Sequence, residues 1–379
     1  MSSSLPLSGL VVMELGTSVA APVGAQILAE LGAQVIKIEN PKGGDDARSW
    51  GPPFVGESSA LFHAINRNKR SATVDFKDAE QCAALRSFIV AHADVVIQNM
   101  RPGVVEKHGI DGATLRALKP SLIYCNLRAF GSAGDLKDRP GYDPLMQAFG
   151  GIMSITGHEG ADPVRVAPSI VDQGTGMWAV IGILAALRNR DATGEGTLIE
   201  TSLYETSLNW VSMHTANFLA SGRLPRRLGS ENPGISPYKG YQATDGWIVI
   251  AAGNDNLFTR FCNAVGYPEW LNDPDFKSNP ERVKNRDKLN GLISDVIATA
   301  SRDVWLGKLD QAGVPSAPML TLDEVVVHPQ CQAVGMLQDA PDGQGKVMGI
   351  PLQFDGVRPA YRSVAPKLGE ANDLIHGQT

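Results

Sequence analysis

A short apolar run, Leu10-Val11-Val12-Met13-Glu14-Leu15, is followed by apolar residues at helical spacing from Pro22 to Leu31. A second short run, Ala33-Gln34-Val35-Ile36-Lys37-Ile38-Glu39, comes next. Two strands separated by a helix's worth of chain do not make a hairpin; they pair in parallel through a right-handed crossover. The alternation continues: Ser71 to Phe76 reads as a strand, Asp78 to Ala91 as a helix started by Asp78, and Asp94 to Asn99 and Ser121 to Leu127 as further strands. This order of elements predicts a doubly wound α/β domain.

The texture changes after about residue 190. A turn at 191–196 leads into a strand, Thr197 to Thr201, a helix, Leu203 to Ser221, and a loop at 222–236 rich in Gly, Pro and Arg. Residues 241–251 read as a hairpin turning at Asp245-Gly246, and helical segments follow to about 312. The expected organisation is a large domain over 1–205, a small α+β domain over 225–312 and a returning segment over 325–379.

Charge and cysteine usage narrow the function. A formal charge of −6 argues against a nucleic-acid partner, whose phosphates require a basic excess. The longest apolar run, Met177 to Leu187, is too short to cross a bilayer, and the Met-Ser-Ser-Ser start is unlike a secretory signal. Cys82, Cys125, Cys262 and Cys331 form no CxxC pair, which fits buried thiols in a reducing cytoplasm and no zinc site. The seven histidines show no spacing suited to a metal or a triad. Gly16 and Gly24 are eight apart, and Ala20, Ala21 and Pro22 stand where bare backbone would approach a pyrophosphate, so the first βαβ unit lacks a dinucleotide fingerprint despite Glu39 ending its second strand.

Several stretches in order resemble the class III CoA-transferases, the family that also holds the α-methylacyl-CoA racemases. They are Leu31 to Glu39, Asn66-Arg67-Asn68-Lys69-Arg70-Ser71, Asn99-Met100-Arg101-Pro102-Gly103, Arg139-Pro140-Gly141-Tyr142-Asp143 and Gly182 to Leu187, with Pro237-Tyr238 and Ala365 to Glu370 extending the match. The resemblance implies a Rossmann-like large domain completed by the C-terminal segment, a small domain between, and an interlocked homodimer. It implies acyl-CoA and small carboxylic acids as substrates, with no permanently bound cofactor.

Asp172 stands where this family keeps its nucleophilic aspartate. Read on its own, it precedes a helix starting near Gly174 or Thr175, so the helix dipole would favour its ionised form. Gly174 and Gly176 would leave room for a thioester. A helix cap is the plainer alternative. The resemblance makes Asp143 a second active-site acid and lays Asn99, Met100, Arg101 and Lys107 along the CoA groove. Lys69 and Arg70, ahead of a strand, join them as phosphate contacts. Trp50, Arg128, Arg139 and Tyr142 are the expected substrate contacts.

The departures also carry information. Tyr142 replaces the histidine that the racemases use as one of two bases, which disfavours the racemase alternative. Asn232 stands where many members have His, no glycine-rich flap follows it, and Val19 replaces a glutamine found in some relatives. Ala371-Asn372 stand in place of His-Thr, and Arg128-Ala129 in place of a Ser-Gly pair. Arg128 is either the anchor of a dicarboxylic acid or half of a structural ion pair. A catalytically silent CoA-binding protein is the remaining alternative.

Overall fold

Six strands build the sheet of the first unit: β1 (Val11–Leu15), β2 (Gln34–Glu39), β3 (Lys69–Thr73), β4 (Val95–Gln98), β5 (Ile123–Arg128) and β6 (Leu198–Ser202). They come from a computed structural model that describes residues 5–377. The lateral order is β3-β2-β1-β4-β5-β6 and every pairing is parallel. The order reverses between β1 and β4, and in open sheets of this kind ligands bind in the crevice beyond the carboxyl ends of the strands at that reversal.

The helices of this unit include α1 (Ala20–Glu30), α2 (Ala79–His92), α3 (Gly112–Leu118), α4 (Asp143–Phe149), α5 (Ile170–Thr193), α6 (Leu203–Trp210) and α7 (Ser212–Ser221). Asp78 caps α2 as expected, accepting from the N–H groups of Glu80 and Gln81. The helix expected over 203–221 is two helices, divided at Val211. Residues 329–377 belong to this unit too: Ala371 N–H donates to Ser71 O at 2.8 Å, and Asn372 Oδ1 accepts from Thr73 N–H at 2.7 Å, so the segment closes the β3 edge.

Two findings correct the reading of the sequence here. Strand β3 begins at Lys69, not Ser71, so Lys69 and Arg70 lie inside the strand, at its amino end. Helix α5 begins at Ile170, so Asp172 is its third residue and does not precede it. At 24 residues, α5 is long and apolar enough to cross a membrane by length and composition. Its Val171, Gly174, Ala179, Val180 and Ile183 are buried in the unit, the pattern of a core helix.

Gly24 of α1 and Gly176 of α5 explain how closely those helices run. A Cβ on Gly176 would stand 2.7 Å from Ala20 O and 2.9 Å from Gly24 N, both backbone atoms. The contact sets the first turns of α5 beside those of α1, which follows directly from the carboxyl end of β1. At its far end α5 holds Asp94, just ahead of β4, through Arg190 at 2.9 Å. Helix α5 therefore runs from the carboxyl edge of the sheet to the amino edge, and Asp172 stands at the carboxyl edge.

The second unit comprises residues 154–164 and 224–328. Its antiparallel sheet has the order β9-β8-β7, from β7 (Tyr238–Ala243), β8 (Gly246–Ala251) and β9 (Ser316–Pro318). Helices α8 (Asp255–Val265), α9 (Arg286–Ile297) and α10 (Arg302–Gln311) pack on it around Tyr241, Ile248, Ile250, Phe258, Phe261 and Trp305. The hairpin turns at Thr244-Asp245, with Gly246 opening the return strand, and Asp245 accepts from the first N–H of α10 at 2.7 Å. Residues 154–164 join this unit through a bridge between His158 and Leu228, a return visit of the chain that the sequence did not suggest.

Candidate active site

The first turn of α5 is fixed from outside the helix. Its N-cap, Ser169, makes no side-chain bond to the turn. Asp143 at the start of α4 takes over that role: its Oδ2 accepts from Val171 N–H at 2.8 Å and from Asp172 N–H at 3.2 Å. These are two of the N–H groups that a helix start leaves without intrahelical partners. Asp143 Oδ1 accepts from Gln147 at 2.6 Å, and the Asp143 side chain is buried. The two expected active-site acids are thus brought together, in unequal settings. Asp143 is saturated with donors, while Asp172 carries a half-buried carboxyl.

Burial, and secondarily the Asp143 charge, push the Asp172 carboxyl up to about 7. Burial thus outweighs the helix start, which was expected to favour the ionised form. A nucleophilic Asp172 must be deprotonated, so kcat/KM for the acyl-CoA should rise about tenfold per pH unit below that midpoint and level off above it. Asp143→Asn should move the midpoint down. A profile flat from pH 5 to 8 would exclude ionisation of Asp172 as the controlling step.

The glycines flanking Asp172 serve packing. A Cβ on Gly174 would stand 2.8 Å from the Trp210 ring, whose Nε1 donates to Ile170 O at 3.3 Å, and Gly176 receives α1 as described. Neither opens a path for a thioester, contrary to the expectation from sequence.

The loop after β1 lies at the sheet reversal and is held on three sides. Asn99 Oδ1 accepts from Thr17 N–H and its Nδ2 donates to Thr17 O, both at 2.9 Å, tying the loops after β1 and β4 together. Lys37 donates to Gly16 O at 2.7 Å, and Asp45 accepts from Ser18 N–H at 2.9 Å. Ser18 is held at a φ of 68°, a left-handed conformation that such anchoring sustains. Val19, the N-cap of α1, is buried.

Of the expected CoA contacts, Arg101 and Lys107 are exposed beyond β4. Met100 packs on the core of the sheet, and the Asn99 amide is engaged with Thr17. Arg70 is half-buried in β3. Lys69 is buried: its Nζ lies 2.7 Å from Glu14 and donates to Pro22 O and Asn66 Oδ1, both at 2.8 Å. A lysine so enclosed is not presented to a phosphate. Trp50, Arg139 and Tyr142 are exposed in the segments that follow β2 and β5. Arg128 ends β5, with its Nε 3.5 Å from Glu200 and lacking a hydrogen bond. Among the described residues no group of three His, Cys, Asp or Glu is arranged to hold a metal ion.

Sequence reasoning missed Gln147, Lys37, Asp45 and Trp210. Only Gln147 carried a local signal, its i+4 spacing from Asp143 on a helix, at which Gln and Asp side chains meet.

Comparison with known proteins is consistent along the whole chain. The model of a family described as CoA-transferase family III matches residues 7–372. A succinate–glutarate CoA-transferase of Agrobacterium fabrum is 40% identical over 374 residues, covering 96% of this chain and 93% of that protein. An acetyl-CoA:oxalate CoA-transferase of Acetobacter aceti is 37% identical over 367 residues, covering 96% and 93%. The crystal structure of a CaiB/BaiF family protein from Brucella suis superposes with a TM-score of 0.89 at 39% identity, covering 98% of this chain and 99% of that one.

Proposed function

The chain belongs to CoA-transferase family III and is an enzyme that passes CoA from an acyl-CoA to a carboxylic acid, and we propose that Asp172 carries the CoA between them. One observation supports this choice above others: Asp172 is a half-buried carboxyl in the first turn of a long helix, at the carboxyl edge of the sheet, beside an acid already saturated with donors.

The chemistry follows from conserving the thioester. The Asp172 carboxylate attacks the donor's thioester carbonyl, expelling CoA thiolate and leaving a mixed anhydride. The thiolate attacks the aspartyl carbonyl, which gives an aspartyl-CoA thioester and frees the donor acid. The acceptor carboxylate attacks that thioester, and the thiolate released takes the acceptor's acyl group from the second anhydride, regenerating the Asp172 carboxylate. Each tetrahedral intermediate needs N–H donors at its oxyanion.

We take the acceptor acid to be dicarboxylic. The relatives' names include the dicarboxylic acids glutarate and oxalate, and Arg128, at the end of β5, offers a partly exposed guanidinium whose charged partner, Glu200, lies no closer than 3.5 Å. A homodimer is the expected assembly. Met177, Trp178, Ile181 and Leu184 form an exposed apolar stripe on α5 that a second copy would cover. All four cysteines are free thiols, which fits a cytoplasmic location.

Intact-mass analysis tests the covalent step. Mixed with succinyl-CoA or acetyl-CoA, the enzyme should gain a CoA-sized adduct that maps to the peptide carrying Asp172, and hydroxylamine should convert it to a hydroxamate there. No adduct with any donor, together with deuterium exchange at an acyl α-carbon, would replace the transferase mechanism with proton transfer.

A further inference from the structure

We propose that Gln147 is a positioning residue for the transfer reaction: together with Asp143 it forms a buried polar clamp that fixes the chain from Val166 to Asp172 and so sets where the Asp172 carboxylate stands. This rests on the assignment of Asp172 as nucleophile and adds a residue to it. Gln147 is fully buried, and every polar atom of the pair is accounted for. Gln147 Oε1 accepts from Val166 N–H at 2.8 Å. Its Nε2 donates to Asp143 Oδ1 at 2.6 Å and to Val166 O at 3.2 Å. Asp143 Oδ2 receives the N–H groups of Val171 and Asp172.

The amide orientation has one solution. Reversing it would set oxygen against two acceptors and nitrogen against an N–H, so Gln is required where Glu would be the nearest shape. One side chain grips the start of the segment and the other grips its end. The two lie four apart on α4, so the segment moves with that helix as a unit. A displaced nucleophile loses rate even when substrate still binds, because near-attack geometry is lost.

Two variants separate this role from simple packing. Gln147→Leu keeps the bulk and removes every bond of the amide. It should slow adduct formation at Asp172 by about ten- to a hundredfold at saturating acyl-CoA, with KM within about twofold of the parent. Gln147→Glu keeps the shape and replaces the donor by an oxygen facing Asp143 Oδ1. Two carboxylates so close cannot both ionise, so the clamp survives only while a proton is shared between them. Adduct formation in this variant should fall on the alkaline side, where the parent stays level.

A parent-like rate and pH profile in both variants overturns the proposal. So does a loss in Gln147→Glu that is the same at every pH, since a packing defect would give that. Should Gln147→Leu fail to fold by near-ultraviolet circular dichroism, the pH profile of Gln147→Glu decides. Unmodified enzyme that forms no adduct at Asp172 removes the nucleophile assignment, and this inference with it. An adduct in the unmodified enzyme with unaltered variants removes this inference alone.

Discussion

Asp172→Asn is expected to lower CoA transfer by about a thousandfold or more while leaving acyl-CoA binding within a few-fold of the parent. A loss of that size corresponds to about 4 kcal/mol of transition-state stabilisation, the scale at which removing a covalent nucleophile registers. The exchange is unusually clean here. The bonds that anchor this turn run from the backbone N–H of residues 171 and 172 to Asp143, so the amide side chain disturbs none of them. Stability gives the control. The folded state raises the Asp172 carboxyl from 3.8 to about 7, so it binds more protons than the unfolded chain between those values. The contribution from this group is complete below pH 4 and is lost as pH rises to 7, on the order of 2–4 kcal/mol. Asp172→Asn should therefore melt above the parent at pH 8 and much closer to it at pH 5. Transfer within tenfold of the parent would exclude Asp172 as the nucleophile. A melting point lowered at pH 8 would mean that the activity loss reflects damage to the fold.

The frame of the first unit was legible because its signals are local. The period changes from two to helical between Leu10 and Glu39, and Asp78 announces its own helix. What failed to show depends on residues far apart in the chain. Helix α5 starts earlier than its sequence suggests because its cap, Asp143, is 29 residues upstream of Asp172. Gly174 and Gly176 look like an opening for substrate until Trp210 and Ala20 are placed against them. Lys69 looks like a phosphate ligand until Glu14, from another strand, is found on its ammonium. Type and position along the chain identified Asp172, but the fate of a long polar side chain depends on which neighbours the sheet order brings to it.

Glu14→Gln is expected to be the most destabilising polar substitution in the first unit, about 3–5 kcal/mol. Glu14, Lys37 and Lys69 are buried side by side on β1, β2 and β3. Glu14 Oε1 lies 2.8 Å from Lys37 Nζ, and Oε2 lies 2.7 Å from Lys69 Nζ. Lys37 has a second carboxylate, Asp45, at 2.8 Å. Burial works against the Lys37 charge, but Glu14, Asp45 and Glu39 together outweigh it and hold its pKa above the ordinary value. Glu14 is the one carboxylate in contact with Lys69; burial brings Lys69 down to about 8, Glu14 and the more distant Asp45 offset only part of that, and the like charge of Lys37 adds to the fall. Glu39 is balanced by Arg48 at 2.7 Å, which leaves two lysines against Glu14 and Asp45, and a neutral amide at position 14 leaves one cation in excess with no water to reach it. Lys69 has the weaker hold on its proton and should give it up near neutral pH. The companion substitution Lys69→Met should then recover much of the loss, so the double variant is destabilised by less than the sum of the two singles, read as urea midpoints at constant slope. Lys37 also holds Gly16 O in the loop after β1, so Glu14→Gln enzyme that remains folded should bind acyl-CoA more weakly. Additive single effects would show that Glu14 and Lys69 do not depend on one another, and a loss under 1 kcal/mol would show that water enters the cluster.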